Sequence, residues 1–286
     1  MKKIIVCMKW GNAFTSNYVN ILNRAIRNHV HDLDYFICIT DDTNGLDPLI
    51  HTLPMPEIPL DGSFFSTGAC PKLSLFKRGV LPKGYRTIFI DLDMIVCGDI
   101  NRFFQLTDDF YAIGPTSWNA PSKQPKSFFY RKFKSIRNEK KNAKKNLIIS
   151  SRGLDASNIE PNTLGSGMFA FDSDSLNYIY DEFMSDPISH QLLYDNEQHF
   201  LESRLARWTS WPPGWIIHYK YSLRQPLLKD LFIHPSSPPK DTSIVAFSGR
   251  PRPHELAENF FSSLKEFPHC RIGKVDWVKK YWLDNI

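Results

Sequence analysis

The first sixty residues alternate between short apolar runs and polar breaks at α/β spacing. Lys3–Met8 is apolar and rich in β-branched residues, which predicts a buried strand. Lys9-Trp10-Gly11-Asn12 breaks the run as a loop. Thr15, Ser16 and Asn17 offer N-caps for a helix reaching about Asn28, with Tyr18, Ile21, Leu22, Ala25 and Ile26 on one face. A second strand is predicted over Asp34–Thr40, ending in Asp41-Asp42. Strand, helix, strand is a βαβ unit, which implies a parallel sheet with a right-handed crossover.

The pattern continues along the chain. Pro71–Arg78 reads as a short helix, and Tyr85–Val96 is the strongest strand signal, apolar from Ile88 onward except for two aspartates. Strands are predicted at Phe110–Gly114, Leu164–Phe171, Trp215–Tyr219 and Ser243–Phe247, and helices at Ser173–Met184, Glu197–Trp208 and Val275–Leu283. There is no internal repeat. The expectation is a single α/β domain over residues 1–286, with residues 120–160 as a basic insertion.

Composition changes this picture in two places. With 42% hydrophobic and 23% charged residues, the chain reads as an ordinary globular protein. No apolar run approaches the roughly 20 residues that span a bilayer. Trp10 and charged residues stand where a signal-peptide cleavage site would need small ones. The five cysteines (7, 38, 70, 97, 270) form no C-x-x-C pair and read as free thiols in a reducing cytosol, so a cytoplasmic location is expected. The net charge of +5 is uneven: Lys123 to Arg152 holds eleven Lys or Arg and one acid, Glu139. Such a patch suits an anionic membrane surface, a phosphorylated acceptor or nucleic acid, or else is a solvated loop.

Candidate chemistry centres on Asp91-Leu92-Asp93. In an extended segment Asp91 and Asp93 face one way and Leu92 the other. They end a buried strand, and in open α/β sheets ligands bind beyond the carboxyl ends of strands. Two carboxylates fixed there suit a hard divalent ion, Mn²⁺ or Mg²⁺, shared with diphosphate oxygens.

In the order of the chain, Met8-Lys-Trp-Gly11 with Tyr18-Val-Asn20, Thr40-Asp-Asp42, Lys72-Leu-Ser-Leu-Phe76, Ile90-Asp-Leu-Asp93, Asn196-Glu-Gln198 and Gly249-Arg-Pro-Arg-Pro-His254 form a set. With it the chain resembles the GT-A-fold glycosyltransferases, in a bacterial group distantly similar to the glycogenin and lipopolysaccharide galactosyltransferase type. The resemblance implies a Rossmann-like, mixed but mainly parallel sheet flanked by helices. It implies transfer of a sugar from a nucleotide-diphosphate donor, with UDP-sugars foremost, to a glycan or lipid-linked acceptor in surface-polysaccharide or lipopolysaccharide synthesis. Retention of configuration is the expected course. An inverting enzyme needs a carboxylate base aimed at the acceptor hydroxyl, whereas a retaining one can let the departing phosphate take that proton.

The same resemblance implies residue roles. Lys9, Trp10, Gly11, Thr40 and Asp41 would hold the nucleoside. Lys72 would reach a phosphate or the donor sugar. Asp91 would sit near ribose and metal, with Asp93 the firmer metal ligand. Gly165-Ser166-Gly167 would let the donor sugar approach the backbone. Asp195, Glu197 and Gln198 would lie beside the reacting sugar, Glu197 foremost, although Asp195 and Glu197 would equally complement a helix N-terminus. Arg250 and Arg252 would meet the diphosphate. Relatives often carry His before the Gly of the late motif. Here it is Ser248, which would join the metal directly or through a water, unless His218 or His254 substitutes. A sugar-phosphate nucleotidyltransferase is the first alternative, but the loop after the first strand lacks its glycine richness. A nucleic-acid-binding module, using the basic stretch and its aromatics Phe128, Phe129, Tyr130 and Phe133, leaves the two aspartates unexplained and is disfavoured.

Overall fold

A computed structural model describes residues 1–57, 70–117, 149–157, 159–194, 196–225, 227–258 and 273–284. Asp195, Cys270 and most of the basic stretch lie outside the described residues. The first four strands of the main sheet, in spatial order, are β3 (His51–Pro54), β2 (Tyr35–Thr40), β1 (Lys3–Lys9) and β4 (Arg86–Ile90), all parallel. Beyond β4 the sheet becomes mixed. β7 (Gly165–Asp172) runs antiparallel to both β4 and β6 (Phe110–Ile113), and β8 (Thr209–Ser210) closes the edge.

The two-residue period of the strands sorts their side chains into two cores. Ile5, Cys7, Ile88 and Ile90 face α1 (Ser16–His29), which buries Tyr18, Val19, Ile21, Leu22, Ala25 and Ile26. Ile4, Val6, Met8 and Phe89 face the other way, towards α3 (Asn177–Ser185) and α5 (Glu197–Arg204). Two short helices, α2 (Asn101–Phe104) and α4 (Pro187–Leu193), and the 3-10 turn Cys70–Phe76 complete this part. The expected helix Pro71–Arg78 is that 3-10 turn. Ser74 Oγ donates to Pro71 O at 2.6 Å, and Lys77 N reaches back three residues to Ser74 O at 3.0 Å.

The long strand expected over Tyr85–Val96 is divided. Met94 N donates to Asp91 O at 3.3 Å, closing a turn on the two aspartates. β5 (Met94–Val96) then leaves the main sheet and pairs antiparallel with β10 (Ile244–Ala246), which lies parallel to β9 (Ile216–His218). This second, three-stranded sheet packs on the α1 side with α6 (Pro253–Ala257) and the last helix, α7 (Asp276–Leu283). Both faces of the main sheet are therefore covered, as a mainly parallel sheet requires. Among the described residues no helix is long and apolar enough to cross a membrane.

Candidate active site

The site forms where β4 ends. Strand pairing continues one residue past β4, as Asp91 N donates to Gly167 O at 2.8 Å, and this draws Gly165-Ser166-Gly167 alongside Asp91. A Cβ at Gly167 would meet Met94 Cε at 2.5 Å and stand 3.6 Å from Asp91 Oδ2. Only glycine fits there without displacing Met94. Leu92 is buried in the α1-side core, so the turn is anchored by its apolar member.

Lys72 enters from the 3-10 turn, and its side chain is only 8% exposed. Its Nζ donates to Asp91 Oδ2 at 2.8 Å, and lies 3.4 Å from both Ser166 O and Ser166 Oγ. Glu197 Oε1 is 3.7 Å away. Burial alone would lower the Lys72 pKa, but Asp91, Glu197 and Asp93 outweigh it, and the net direction is upward, so the ammonium stays charged. Lys72 thus sits inside a carboxylate cluster at the place where it is expected to reach a phosphate or the donor sugar.

Glu197 opens α5 but does not cap it. Asn196 does that, its Oδ1 accepting from His199 N at 2.9 Å. Glu197 instead turns inward and accepts from Ser166 Oγ at 2.6 Å. Gln198 Oε1 accepts from Ser166 N at 3.2 Å, and its Nε2 donates to Asn162 Oδ1 at 3.0 Å. One turn on, Glu202 accepts from Asn162 Nδ2, Thr163 N, Thr163 Oγ1 and Leu164 N at 2.9, 2.7, 2.5 and 2.9 Å. Burial opposes ionisation of Glu202, but these donors hold its carboxyl below the usual range. Asn162 and Glu202 escaped the sequence reading. The i, i+4 spacing of Gln198 and Glu202 on one helix face was the available signal.

Asp93 lies beyond the turn. Burial and the neighbouring charge of Asp91 push its carboxyl up to about 7, against the pull of Lys72 and Arg252. If all three ionised, Asp91, Asp93 and Glu197 would set three carboxylates against the single ammonium of Lys72, an excess of negative charge. A divalent cation would balance that charge. Among the described residues no group of three or more His, Cys, Asp or Glu could hold a metal on its own. Asp91 and Asp93 offer carboxyl oxygens of the kind hard Mg²⁺ or Mn²⁺ takes, and such an ion would need further oxygen ligands to fill its shell. His218 and His254 do not complete the pair. His218 Nδ1 accepts from Lys220 N at 3.1 Å, and His254 is hydrogen-bonded to Tyr18. Ser248 is exposed beyond the end of β10.

The strand ends beside Asp91 carry the remaining candidates. Gly11, at φ +56°, donates its N–H to Asp41 Oδ2 at 2.8 Å, which joins the loops after β1 and β2. Lys9 Nζ stands 3.8 Å from Asp42 Oδ2, and Thr40 Oγ1 donates to Asp42 O at 2.9 Å. Trp10 packs half-buried on the α3-side core. A polar cavity of about 360 Å³ lies against Thr40, Asp41 and Asp42, with Thr52 and Leu53 of β3. In the late loop Arg250 pairs with Glu255, while Arg252 Nη1 donates to Ala13 O at 2.5 Å and its guanidinium lies 4.4 Å from the Phe14 ring. The structure thus brings together Lys72, Asp91, Ser166, Glu197 and Gln198, with Asp93 beside them, and sets Lys9, Gly11, Thr40 and Asp41 in a neighbouring group.

No family model matches the sequence, and no curated protein matches it significantly. Solved structures do match. The glycosyltransferase GlyE of Streptococcus pneumoniae TIGR4 aligns at TM-score 0.55 and 12% identity, over 99% of this chain and 63% of GlyE. Its apo form aligns at 0.51 and 12%, over 100% and 62%. An active-site mutant of LgtC aligns at 0.50 and 8%, over 87% and 89%. This chain thus spans less than two thirds of the GlyE chain. At such identities the likeness establishes the fold, and the fold is the GT-A arrangement that the motifs implied.

Proposed function

We propose that the protein is a metal-dependent, retaining glycosyltransferase that moves a sugar from a nucleotide-diphosphate donor, most simply a UDP-sugar, to a glycan or lipid-linked acceptor. One observation carries the reading: an ion cluster of Lys72, Asp91 and Glu197, with Asp93 adjoining, built at the carboxyl end of β4. Its support is that this fold, shared with glycosyltransferases, binds ligands at that sheet edge.

Each residue has a task in this reading. The loops joined by Gly11 and Asp41 would seat the nucleoside, next to the cavity at Thr40 and Asp41. Asp91 and Asp93 would hold Mn²⁺ or Mg²⁺, which would neutralise the departing diphosphate. Lys72 orients Asp91 and Glu197 through its ammonium. Gly165 and Gly167 let the β7 backbone pack closely on Ile113 and Met94, and the donor sugar would lie along this segment. Glu197, fixed by Ser166, would stabilise positive charge growing at the reacting carbon, and Gln198 holds the Ser166 backbone in register. A carboxylate bonded into the donor-side group suits retention, because it acts on the donor and not on the acceptor hydroxyl. The basic stretch would contact an anionic acceptor or the inner face of the cell membrane, and surface-polysaccharide assembly is the pathway that suits both.

The test is a thermal-shift screen of nucleotide sugars with and without Mn²⁺, followed by donor hydrolysis. A donor that binds only the folded state raises Tm by mass action, and here the rise should need the metal. If no nucleotide sugar shifts Tm in either condition, the reading fails.

A further inference from the structure

A closed circuit of side chains joins the start of α1 to the late loop. Tyr18 is buried in the first turn of α1, and its ring meets that of Phe14 edge-on, with centroids 5.0 Å apart. The Arg252 guanidinium lies 4.4 Å from the Phe14 ring, and its Nη1 donates to Ala13 O at 2.5 Å. Two residues on, His254 Nδ1 accepts from the Tyr18 hydroxyl, which returns the circuit to its start. Burial keeps both groups neutral, raising the Tyr18 hydroxyl and lowering the His254 pKa, so one is the donor and the other the acceptor. Tyr18 also packs edge-on against Trp282 of α7, with centroids 4.7 Å apart, which roots it in the core.

The segments that the circuit joins have little structure of their own. Trp10–Thr15, between β1 and α1, contains neither helix nor strand. α6 has five residues, too few to persist without tertiary contacts. Its Glu255 faces back to the late loop, pairing with Arg250 and accepting from Arg252 N at 2.8 Å. The late loop and α6 are thus bonded to each other. Arg252 and His254 tie them to the start of the chain, and the His254 contact ends on a core residue.

We propose that Tyr18 is a positioning residue of the donor site: through His254 and Phe14 it holds the late loop against the loop after β1, and so sets the shape of the nucleoside pocket. This rests on the glycosyltransferase reading above, in which the loop after β1 seats the nucleoside. Tyr18 takes no part in the chemistry, so its loss weakens donor binding equally in ground and transition states, which raises KM and spares kcat.

The experiment compares wild type, Tyr18→Phe, His254→Leu, the double variant and His254→Asn, which keeps an acceptor near the place of Nδ1. Amide hydrogen exchange over Ser248–His254 is followed without metal or nucleotide, with Tm as the fold control. Hydrolysis of UDP-glucose, UDP-galactose, GDP-mannose, ADP-glucose and dTDP-glucose in Mn²⁺ supplies kcat and KM. In Tyr18→Phe and in His254→Leu, exchange should quicken and donor KM should rise, each by about fivefold or more, with kcat within about twofold. The double variant should be no worse than either single one, because both remove the same bond, and His254→Asn should recover most of the loss. Unchanged exchange in both single variants overturns the proposal, since the bond then holds nothing. Faster exchange with an unchanged KM overturns the positioning role, and so does a kcat that falls as far as KM rises. If Tyr18→Phe melts below the assay temperature, His254→Leu, which leaves the tyrosine in place, decides the matter. If the wild type hydrolyses none of the nucleotide sugars, the glycosyltransferase reading itself fails and this assignment falls with it, whatever the exchange shows.

Discussion

Glu197 Oε1 accepts a 2.6 Å hydrogen bond from Ser166 Oγ, and the same oxygen lies 3.7 Å from Lys72 Nζ. A first-turn glutamate normally serves its own helix, but Asn196 already caps this one, and the carboxylate turns inward. Glu197→Gln keeps shape and removes the charge. We expect kcat for donor turnover to fall by about 10²-fold or more, with KM changed only a few-fold, because the lost interaction belongs to the transition state. An unchanged kcat would return Glu197 to a purely structural role.

Asp93→Asn tests the cation site. Its carboxyl is pushed up to about 7 by burial and by Asp91, so neutralising it relieves repulsion in the folded protein without metal. The expected outcome is loss of Mn²⁺-dependent donor hydrolysis, with Tm in a chelator equal to or above wild type. Near-normal hydrolysis in the variant would remove Asp93 from the metal site.

Glu202→Gln tests the brace behind Ser166. A neutral amide cannot accept all four hydrogen bonds that Glu202 receives from Asn162, Thr163 and Leu164. We expect a loss of roughly 1–3 kcal/mol in urea unfolding. kcat should fall with it, because the brace leads directly into Gly165 and Ser166. Unchanged stability would make the brace redundant.

His218 gives a pH dependence. Burial first, then Lys220 and Arg224, lower its pKa to about 3, against about 6.5 for an unfolded histidine. Between those values the unfolded chain binds a proton that the folded chain refuses. This contribution is therefore fully present above about pH 6.5 and is lost as the pH falls towards 3. Asn at position 218 keeps an acceptor for the Lys220 N–H and does not titrate. Urea titrations from pH 4 to 7 should show a shallower acid loss in His218→Asn than in wild type. Equal slopes would mean that His218 protonates as freely in the folded protein as in the unfolded chain.

The basic stretch carries a prediction from its charge alone. Replacing Lys140, Lys141, Lys144 and Lys145 by Gln should weaken salt-sensitive binding to anionic liposomes, at about 1 kcal/mol per lysine, and leave donor hydrolysis unchanged. Absence of liposome binding in the parent protein would end the membrane version of this idea. Collapse of hydrolysis would assign the stretch to the donor site.

The sequence made the large parts of the fold legible because their signals are local. β1, α1 and β2 follow apolar periodicity, and the D-x-D pair stands out because Ile88–Ile90 before it is wholly apolar. The turn at Asp91 was not legible. Met94, Ile95 and Val96 are as apolar as the strand before them, and only pairing with the distant Ile244–Ala246 moves them into another sheet. The inward turn of Glu197 was hidden for a similar reason. Either reading of a first-turn glutamate satisfies the helix, and Ser166, 31 residues away in sequence, decides between them. The smaller elements, such as β8 and α2, are too short for periodicity to register.

The division at Asp91 has a mechanical corollary. One carboxylate is carried at the end of β4 and the other at the head of β5, so the gap between them works as a gauge of how the two sheets sit on each other. A core substitution that lets the small sheet slide, at Ile95 or Val245 for instance, would be read out first as a change in the grip on a cation. Selection on ion binding would then act on the packing between sheets, at residues that touch no ligand at all.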